Sequence, residues 1–349
     1  MIFKKRVKKE YIIPIFVPNL GCPNDCTFCN QTKISGKSTD VTAADVRKTI
    51  DFYLKNFKDD KKYVEVAFFG GSFTGIDLKV QNELLEAANE YIKEGKVGSI
   101  RISTRPDYID KKILRRLKKY HVKTIELGVQ SSNNEVLKAS KRNHTFEDVV
   151  KASKLIRRKG FILGHQMIVG MPESTVKDEI ETAEDLIRLK PKMVRIYPVL
   201  VIKGTELARQ YSKGEYNALT IEQAVERCKD IYYLFSRNNI DVIRIGLQPS
   251  GEIMDPTKDG SSVLAGPFHP AFRQLVESGM WYDSIEERIK EFNSKIKKIE
   301  IRVNSEDVNN VIGNKKENII KLKEKYELDT IIKADDTIAQ GDFEIDEIE

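Results

Sequence analysis

The segment Tyr11-Ile12-Ile13-Pro14-Ile15-Phe16-Val17 is an almost uninterrupted apolar run of the length of one strand. A continuous apolar run is typical of a strand that helices cover on both faces, as in a parallel sheet or barrel. An amphipathic helical pattern follows at residues 46–57, behind a capping box formed by Thr42 and Asp45. This part of the chain therefore predicts the first unit of a strand–helix repeat.

Five more strand-like runs follow, separated by helical patterns. They are Tyr63–Phe69, Ser99–Ser103, Lys123–Gly128, Phe161–Val169 and Met193–Leu200. The early part of the chain has no Gly-x-Gly-x-x-Gly turn, so the alternation favours a barrel-type array over a dinucleotide-binding sheet. We predict an α/β protein with a partial (β/α)6 barrel, whose functional side chains lie at the carboxyl ends of the strands.

Length and composition limit the class of protein. The chain has 349 residues, of which 40% are apolar and 32% charged, which is typical of a folded globular protein and argues against a disordered, collagen-like or disulfide-stapled chain. Its apolar runs are too short to cross a bilayer, and its first residues do not read as a secretory signal. We expect a cytoplasmic protein without a membrane partner.

The charge is unevenly distributed along the chain. Residues 335–349 hold seven acidic and no basic residues, which leaves 59 basic and 46 acidic residues, or +13, in the rest of the chain. A body this basic is compatible with a polyanionic partner.

The pattern changes after Leu200. A long helix at Ile221–Arg237 and a strand at Asp241–Leu247 precede a Gly/Pro/Ser-rich loop at Pro249–Pro270, which we interpret as a lid. We divide the chain into a barrel (1–247), a lid loop with a helical connection (248–295) and a small α+β domain with an acidic tail (296–349). The last domain reads as strand (Lys297–Val303), helix (Glu306–Ile312), tight turn, helix (Glu317–Tyr326) and strand (Leu328–Lys333).

Three of the four cysteines, Cys22, Cys26 and Cys29, lie on one loop after the first strand. This clustering indicates a metal site or redox chemistry rather than a disulfide framework. Thiolates bind iron–sulfur clusters or zinc, but a structural zinc site normally has four protein ligands and no fourth one is nearby. A site with three protein ligands leaves one metal position open for chemistry. A zinc knuckle or a redox dithiol loop is the alternative.

The loop Gly21-Cys22-Pro23-Asn24-Asp25-Cys26-Thr27-Phe28-Cys29, placed after strand one of such an array, resembles the radical S-adenosylmethionine (SAM) superfamily. In that family three cysteines bind a 4Fe-4S cluster, SAM chelates the fourth iron, and an electron from the cluster cleaves SAM to a 5'-deoxyadenosyl radical. The resemblance implies both cofactors, an electron donor such as flavodoxin or ferredoxin, and Cys22, Cys26 and Cys29 as the ligands at the catalytic centre. It also places Phe28 near the adenine.

Strand ends supply the other candidate cofactor contacts. Phe69-Gly70-Gly71-Ser72-Phe73 corresponds to a family motif that contacts the methionine amino group, with Ser72 where Glu is usual, so we expect a backbone contact there; a glycine turn alone also explains the pair. The third strand end places Ser103 and Arg105 at the active face. The full set that the resemblance implies is Phe28, Gly70, Gly71, Ser72, Phe73, Ser103, Arg105, Gln130 and Ser131.

Three segments resemble the radical domain of the elongator catalytic subunit and, more loosely, coproporphyrinogen dehydrogenase-type proteins. They are Glu126–Ser131, Lys141–Thr145 and Ile196–Thr205. This likeness covers residues 11–245 and implies that Tyr197 and Lys203 face the substrate. The elongator subunit continues into an acetyltransferase domain, but no acetyl-CoA turn is recognisable after Leu247, so we do not expect acetyl-CoA chemistry.

Three further residues have simpler interpretations. We expect Cys228 to be a small buried apolar residue in a helix. His165 is expected to be a hydrogen-bonded structural residue rather than one that points into the barrel. His269, in the predicted lid, is a candidate acid or base.

The C-terminal unit resembles the core of a KH module, with Val311-Ile312-Gly313 leading into a second helix. In KH modules a glycine-containing loop and the adjoining helix N-terminus clamp a nucleic-acid backbone. The resemblance makes Gly313, Asn314, Lys315 and Lys316 candidate RNA contacts, with a lysine in place of the second glycine. A small α+β cap without nucleic-acid contact is the alternative.

Three functions remain open from the sequence. The leading hypothesis is a radical SAM enzyme that modifies RNA, in particular transfer RNA. The second keeps the radical chemistry but gives it a small metabolite as substrate. The third is a non-catalytic RNA-binding protein with a structural metal site.

Overall fold

The largest element of the fold is a seven-stranded sheet. A computed structural model describes residues 10–17, 26–30, 41–57, 63–247, 249, 253–292 and 296–348. The sheet strands are β1 (Glu10–Val17), β2 (Tyr63–Gly70), β3 (Ser99–Thr104), β4 (Val122–Gln130), β5 (Ile162–Val169) and β6 (Met193–Pro198), followed, after the short β7 (Val201–Ile202), by β8 (Asp241–Ile245). Their order is β1-β2-β3-β4-β5-β6-β8, and all neighbours are parallel.

This parallel sheet is the curled half-barrel of an α/β protein, so the predicted fold class is confirmed. The six strands predicted for the repeat are all present in the sheet. The strand predicted at residues 241–247 pairs with β6 as the seventh member of the same sheet.

The helices of the barrel are α1 (Ala43–Asn56), α2 (Leu78–Lys93), α3 (Lys111–Lys119), α4 (Asn134–Ala139), α5 (Phe146–Arg158), α6 (Val176–Arg188), α7 (Glu206–Ser212) and α8 (Ile221–Arg237). The short helices α4 and α7 pack with Phe28 in a separate apolar cluster, and the others pack against the sheet. The predicted capping box at Thr42 starts α1, and a second box at Thr145 starts α5. Two more, at Thr175 and Thr220, start α6 and α8. Each box satisfies backbone N–H groups that a helix start leaves without partners.

The predicted lid contains a short ordered strand. Strand β9 (Val263–Ala265) pairs antiparallel with β7, which sits just after the carboxyl end of β6. Ile253, Val263 and Phe268 pack with Leu200 and Ile202 in a small apolar cluster. The segment is therefore held against the end of the sheet by both backbone pairing and apolar contacts.

Helix α9 (Phe272–Ile289) joins the two hydrophobic cores of the molecule. Its first half packs Phe272, Val276 and Met280 into the core of the barrel wall. Its second half packs Trp281 and its neighbours Ile285 and Ile289 into the core of the C-terminal unit.

The C-terminal unit has a three-stranded sheet with two short helices. Its elements are β10 (Lys298–Val303), α10 (Val308–Ile312), α11 (Glu317–Tyr326), β11 (Asp329–Ala334) and β12 (Phe343–Glu347). The strand order is β11-β10-β12, with β10 parallel to β11 and antiparallel to β12. The strand–helix–helix–strand order is the one predicted.

Strand β12 corrects the interpretation of the acidic segment as a tail. Residues 343–347 form an edge strand, and three carboxylates of the acidic segment surround one guanidinium of β10. Arg302 lies 3.3 Å from Asp335, 2.6 Å from Glu344 and 3.1 Å from Asp346. The sequence pattern missed this strand because its acidic residues read as a solvated run.

Within the ranges that the structure describes, no helix has the length and apolar character that a bilayer crossing requires.

Candidate functional site

The described part of the cysteine loop lies at the carboxyl ends of the strands, here called the mouth. Cys22 falls outside the described residues, while Cys26 is buried and Cys29 is half-buried. The loop is fixed on two sides, because Thr27 N donates to Ser140 O (3.2 Å) and Leu207 N donates to Thr27 O (2.7 Å). These bonds hold two of the three predicted ligands between the end of α4 and the start of α7.

A buried arginine lies against the cysteine loop. Arg142 donates from Nη2 to Gly128 O (2.7 Å) and from Nη1 to Cys26 Sγ (3.5 Å). Among the described residues no carboxylate lies within 4.0 Å of it. A buried cation of this kind is suited to compensating the negative charge of a thiolate ligand set.

His144 lies two residues after Arg142 and is held in its neutral form. Its Nε2 is 3.2 Å from Val129 O. Burial, reinforced by the charges of Arg142 and Arg105, lowers its pKa to about 4. Sequence reasoning missed both Arg142 and His144, although they belong to the Lys141–Thr145 segment that carried the family resemblance.

Gly70, the first of the two glycines at the end of β2, is explained by a close backbone approach. Gly70 has a φ of +106°, and a Cβ there would lie 2.4 Å from Val17 O. Gly71 N donates to the same oxygen at 3.1 Å. Local geometry thus requires glycine at position 70 whether or not a ligand binds nearby.

Ser72 and Phe73 have structural partners. The Ser72 hydroxyl accepts from Arg105 N (2.9 Å) and lies 3.1 Å from Thr104 Oγ1, which ties the end of β2 to the end of β3. Phe73 is buried in the wall core, with its ring centroid 4.9 Å from that of Phe68.

At the end of β3 the predicted residues are also held by neighbours. Ser103 Oγ accepts from Gln166 Nε2 at 3.2 Å. Arg105 forms a two-bonded pair with Asp107, both bonds being 2.9 Å, and its guanidinium lies over the Tyr108 ring. Arg105 is thereby fixed at the rim of the mouth.

The end of β4 places Gln130 and Ser131 at the mouth with different surroundings. Gln130 is buried with a φ of +74°, a conformation rare outside glycine, and strain of this kind is concentrated at functional sites. Ser131 Oγ accepts from Asn133 N (3.1 Å) and is 3.4 Å from Thr182 Oγ1. Phe28 packs with the apolar cluster that includes Val136.

Five buried polar atoms at the mouth have no hydrogen-bond partner in the described part of the chain. They are Thr27 Oγ1, Gln130 Oε1, Ser140 Oγ, Arg142 Nε and His144 Nδ1. Buried polar groups in folded proteins are nearly always satisfied, and five such atoms around one cysteine loop are available to hydrogen-bond a bound group. Together with two thiols and an uncompensated guanidinium, this mouth set fits a polar, negatively charged cofactor assembly.

Deeper in the barrel four buried charges form an interior network: Glu65, Arg101, Glu126 and Arg195. Glu126 accepts from Arg101 (2.8 Å), Arg195 (2.6 Å) and Gln166 (2.9 Å). Burial opposes the ionisation of Glu126, but the two guanidinium groups outweigh it and lower its pKa to about 2. Arg101 also donates to Glu65 at 2.6 Å, so the network balances two positive with two negative charges.

The remaining sequence predictions have clear positions. Cys228 is fully buried and His165 is fully buried with its Nε2 2.9 Å from Ser153 Oγ, so both structural interpretations are confirmed. Tyr197 is half-buried and packs against the same apolar cluster as Phe28. His269 Nδ1 accepts from Ala271 N at 3.1 Å at the start of α9.

The C-terminal loop lies on a different part of the molecule from the mouth residues. Gly313 (φ +81°), Lys315 (+51°) and Lys316 (+65°) adopt left-handed conformations, and both lysines are exposed. The loop base is fixed by Asn318, whose Nδ2 donates to Ser278 O at 2.9 Å and to Val311 O at 3.0 Å. Asn314 is half-buried beside them.

Comparison with known families gives matches over most of the chain. The model of the radical SAM superfamily matches residues 16–186, and that of the radical SAM C-terminal domain matches residues 191–282. An uncharacterised protein of Methanocaldococcus jannaschii is 30% identical over 270 residues, which are 72% of this chain and 82% of that protein.

A named relative matches part of the chain, and a solved structure shares its fold. A tRNA uridine(34) acetyltransferase of M. jannaschii is 33% identical over 183 residues, covering 47% of this chain and 34% of that protein. The solved structure of the archaeal Elp3 of Methanocaldococcus infernus, with an N-terminal deletion, covers 81% of this chain and 64% of its own, with a TM-score of 0.59 and 23% identity. The chain thus spans about a third of the acetyltransferase that it matches.

Proposed function

The chain belongs to the radical SAM superfamily, whose members are enzymes that use a 4Fe-4S cluster and SAM, and from this premise we propose that it modifies RNA, with transfer RNA as its substrate. The interpretation as a non-catalytic RNA-binding protein is set aside, because the family consists of enzymes. When bound, the two cofactors supply a 5'-deoxyadenosyl radical that abstracts hydrogen from the substrate.

The residues of the mouth would hold these cofactors. We assign the cluster to Cys22, Cys26 and Cys29, the last two of which lie on the anchored loop. Arg142 orients and compensates the Cys26 sulfur, and Gln130 Oε1, which has no partner among the described residues, is available as a hydrogen-bond acceptor. The proposed SAM site also includes backbone groups of Gly70 and Gly71. Side chains at the ends of β2, β3 and β4 complete it: Ser72, Ser103, Arg105 and Ser131.

The likeness to archaeal tRNA uridine(34) acetyltransferases over about half of this chain carries the assignment of transfer RNA. Two features of the chain support it. The net charge of the chain is +6, and the loop Gly313-Asn314-Lys315-Lys316 exposes two lysines. Because the match covers only 34% of each of those relatives, the acetyl transfer in their name is not carried over to this chain.

The radical step is tested by anaerobic reconstitution with iron and sulfide, reduction, and measurement of 5'-deoxyadenosine released from SAM. We expect Cys26→Ala to lose both the iron–sulfur absorption and the product. Cys228→Ala is the matched control, since Cys228 is also a buried cysteine but lies in the wall core. Equal product from wild type and Cys26→Ala would contradict the assignment.

The substrate is tested by mass spectrometry of transfer-RNA nucleosides from a strain that lacks the protein. We expect one modified nucleoside to disappear and to return with the wild-type gene but not with Cys26→Ala. An unchanged nucleoside profile, with active SAM cleavage in vitro, would favour the small-metabolite alternative.

We propose a reduced flavodoxin or ferredoxin as the electron donor. The test replaces the chemical reductant dithionite in the SAM-cleavage assay with each of these proteins and measures 5'-deoxyadenosine.

A further inference from the structure

The outer wall of the barrel carries a surface rich in positive charge. Residues 111–125 contain seven basic and no acidic residues, and residues 149–172 contain five basic and no acidic residues. These stretches include α3 and most of α5. The exposed cations, here called the α3–α5 basic surface, are Lys111, Lys112, Arg115, Lys118, Lys119, Lys151, Lys154, Arg157, Arg158 and Lys159.

The two helices form one continuous surface. Lys118 Nζ, near the end of α3, donates to Lys159 O, just after α5, at 3.4 Å. The buried sides of the helices, including Leu114 and Leu117 of α3 and Ile156 of α5, pack into the wall core, so the basic side chains are the ones left outside.

The cations of this surface form a group of ten without an ion-pair partner among the described residues. In the part of the chain that the structure describes, none of the ten has a carboxylate oxygen within 4.0 Å. Several exposed lysines on other helices do have such partners, as in Lys93–Glu86 (2.8 Å), Lys177–Glu181 (3.7 Å) and Lys290–Glu286 (3.2 Å). Ten such charges repel one another, and this cost is removed when an anionic partner binds.

The surface adjoins the mouth. The turn Pro106–Tyr108, which follows the end of β3, leads into α3 and packs against α5. Arg105, which precedes this turn, and Asp107 within it form the rim pair already described. A ligand that lies along α3 and α5 therefore reaches the rim of the mouth.

We infer that the α3–α5 basic surface binds the phosphate backbone of the RNA substrate; this inference rests on the proposed function. Helix α5 has 13 residues and is about 20 Å long, so the charges are spread out as a repeating polyanion requires rather than gathered around one small anion. An anionic membrane is a poorer partner, because surface-bound helices insert large apolar side chains among their basic ones. None of the exposed large apolar side chains in the described ranges belongs to α3 or α5.

The test measures binding of an in vitro transcribed transfer RNA by fluorescence anisotropy over a range of KCl concentrations. The surface variant changes four lysines to glutamine: Lys118, Lys119, Lys151 and Lys154. The control variant changes four ion-paired lysines to glutamine: Lys93, Lys96, Lys177 and Lys290. Both sets are solvent-exposed, and both variants are expected to fold.

We expect the surface variant to bind about 10- to 100-fold more weakly at moderate salt. The slope of log affinity against log salt concentration should become shallower by about 0.7 to 0.9 for each phosphate that the variant no longer neutralises. The control variant should bind within about threefold of wild type. RNA-independent cleavage of SAM with dithionite should be unchanged in both, since none of the eight lysines lies at the mouth.

Three outcomes would overturn the inference. Equal affinity and equal salt dependence of wild type and surface variant would show that RNA does not use this surface. Slower reduction by flavodoxin with unchanged RNA affinity would assign the surface to an acidic protein. Absence of transfer-RNA binding by the wild type itself would remove the proposed substrate as well as the surface, which distinguishes the two failures.

Discussion

The interior network and the mouth set are both groups of buried polar side chains in the same barrel, but they differ in how they are satisfied. In the network Glu126 alone accepts three hydrogen bonds from two arginines and one from a glutamine. In the mouth set, five buried polar atoms have no partner among the described residues. The two groups lie close together along the strands: on β4, Glu126 belongs to the network and Gln130 to the mouth set.

The difference in hydrogen bonding separates groups that stabilise the fold from groups that are available to a ligand. Buried charges that are fully paired hold strands in place, and removing one partner is costly. Buried polar atoms without partners contribute no such stabilisation and are retained where a ligand completes them. The mouth is therefore the part of the barrel that is organised for a bound group, and the network beneath it supports that part.

The largest effect is expected at the centre of the network. Glu126→Gln leaves Arg101 and Arg195 buried without their shared carboxylate, which should lower the free energy of unfolding by about 3–5 kcal/mol. Urea denaturation followed by circular dichroism measures it. Glu86→Gln, which removes the exposed partner of Lys93, is the control and should cost less than about 1 kcal/mol. Similar losses in the two variants would contradict the interpretation of the network.

An effect of intermediate size is expected from His144 as a function of pH. Its pKa is about 6.5 when unfolded and about 4 when folded, so the unfolded chain takes up a proton first and stability is lost as pH falls from about 6.5 to about 4. By linkage this loss amounts to about 3 kcal/mol.

Unfolding free energies of wild type and His144→Gln between pH 7.5 and 4.5 test this titration. The variant should take up about one proton fewer on unfolding near pH 5.5, while His165, whose pKa burial also lowers, continues to contribute in both proteins. Identical pH dependence would mean that His144 is not buried as a neutral imidazole.

The smallest effect compares two glutamines inside the barrel. Gln166→Met removes donors to Ser103 and Glu126 and should cost about 1–3 kcal/mol of stability. Gln130→Met removes an acceptor that has no partner among the described residues and should change stability by less than about 1 kcal/mol while weakening SAM binding. Isothermal titration calorimetry of reconstituted protein measures SAM affinity, and urea denaturation measures the free energy of unfolding. The comparison fails if Gln130→Met is the more destabilised variant.

Much of the fold could be predicted because its signals are local. Apolar runs, capping boxes and the helix Ile221–Arg237 depend on neighbouring residues, and the structure has them at the predicted positions within a few residues. Strand β12 and the pairing of β7 with β9 were missed, since acidic or irregular segments become strands only when a distant partner strand is available.

The candidate site was predicted less completely for the same reason. The cysteine loop is contiguous and easily recognised, although Cys22 lies outside the described residues. Arg142 reaches Cys26 across 116 positions of the chain, and no local pattern reveals such a contact. Single charged residues inside apolar strands, such as Arg101 and Glu126, were the available signal for the interior network.

Helix α9 has a consequence for how the protein unfolds. Because Met280 and Trp281 are adjacent residues of one helix in different cores, melting of this helix removes apolar side chains from both cores. The barrel and the C-terminal unit are thus bound into one cooperative block. A cut that removed only the last unit would leave Trp281 facing water in an aggregation-prone fragment.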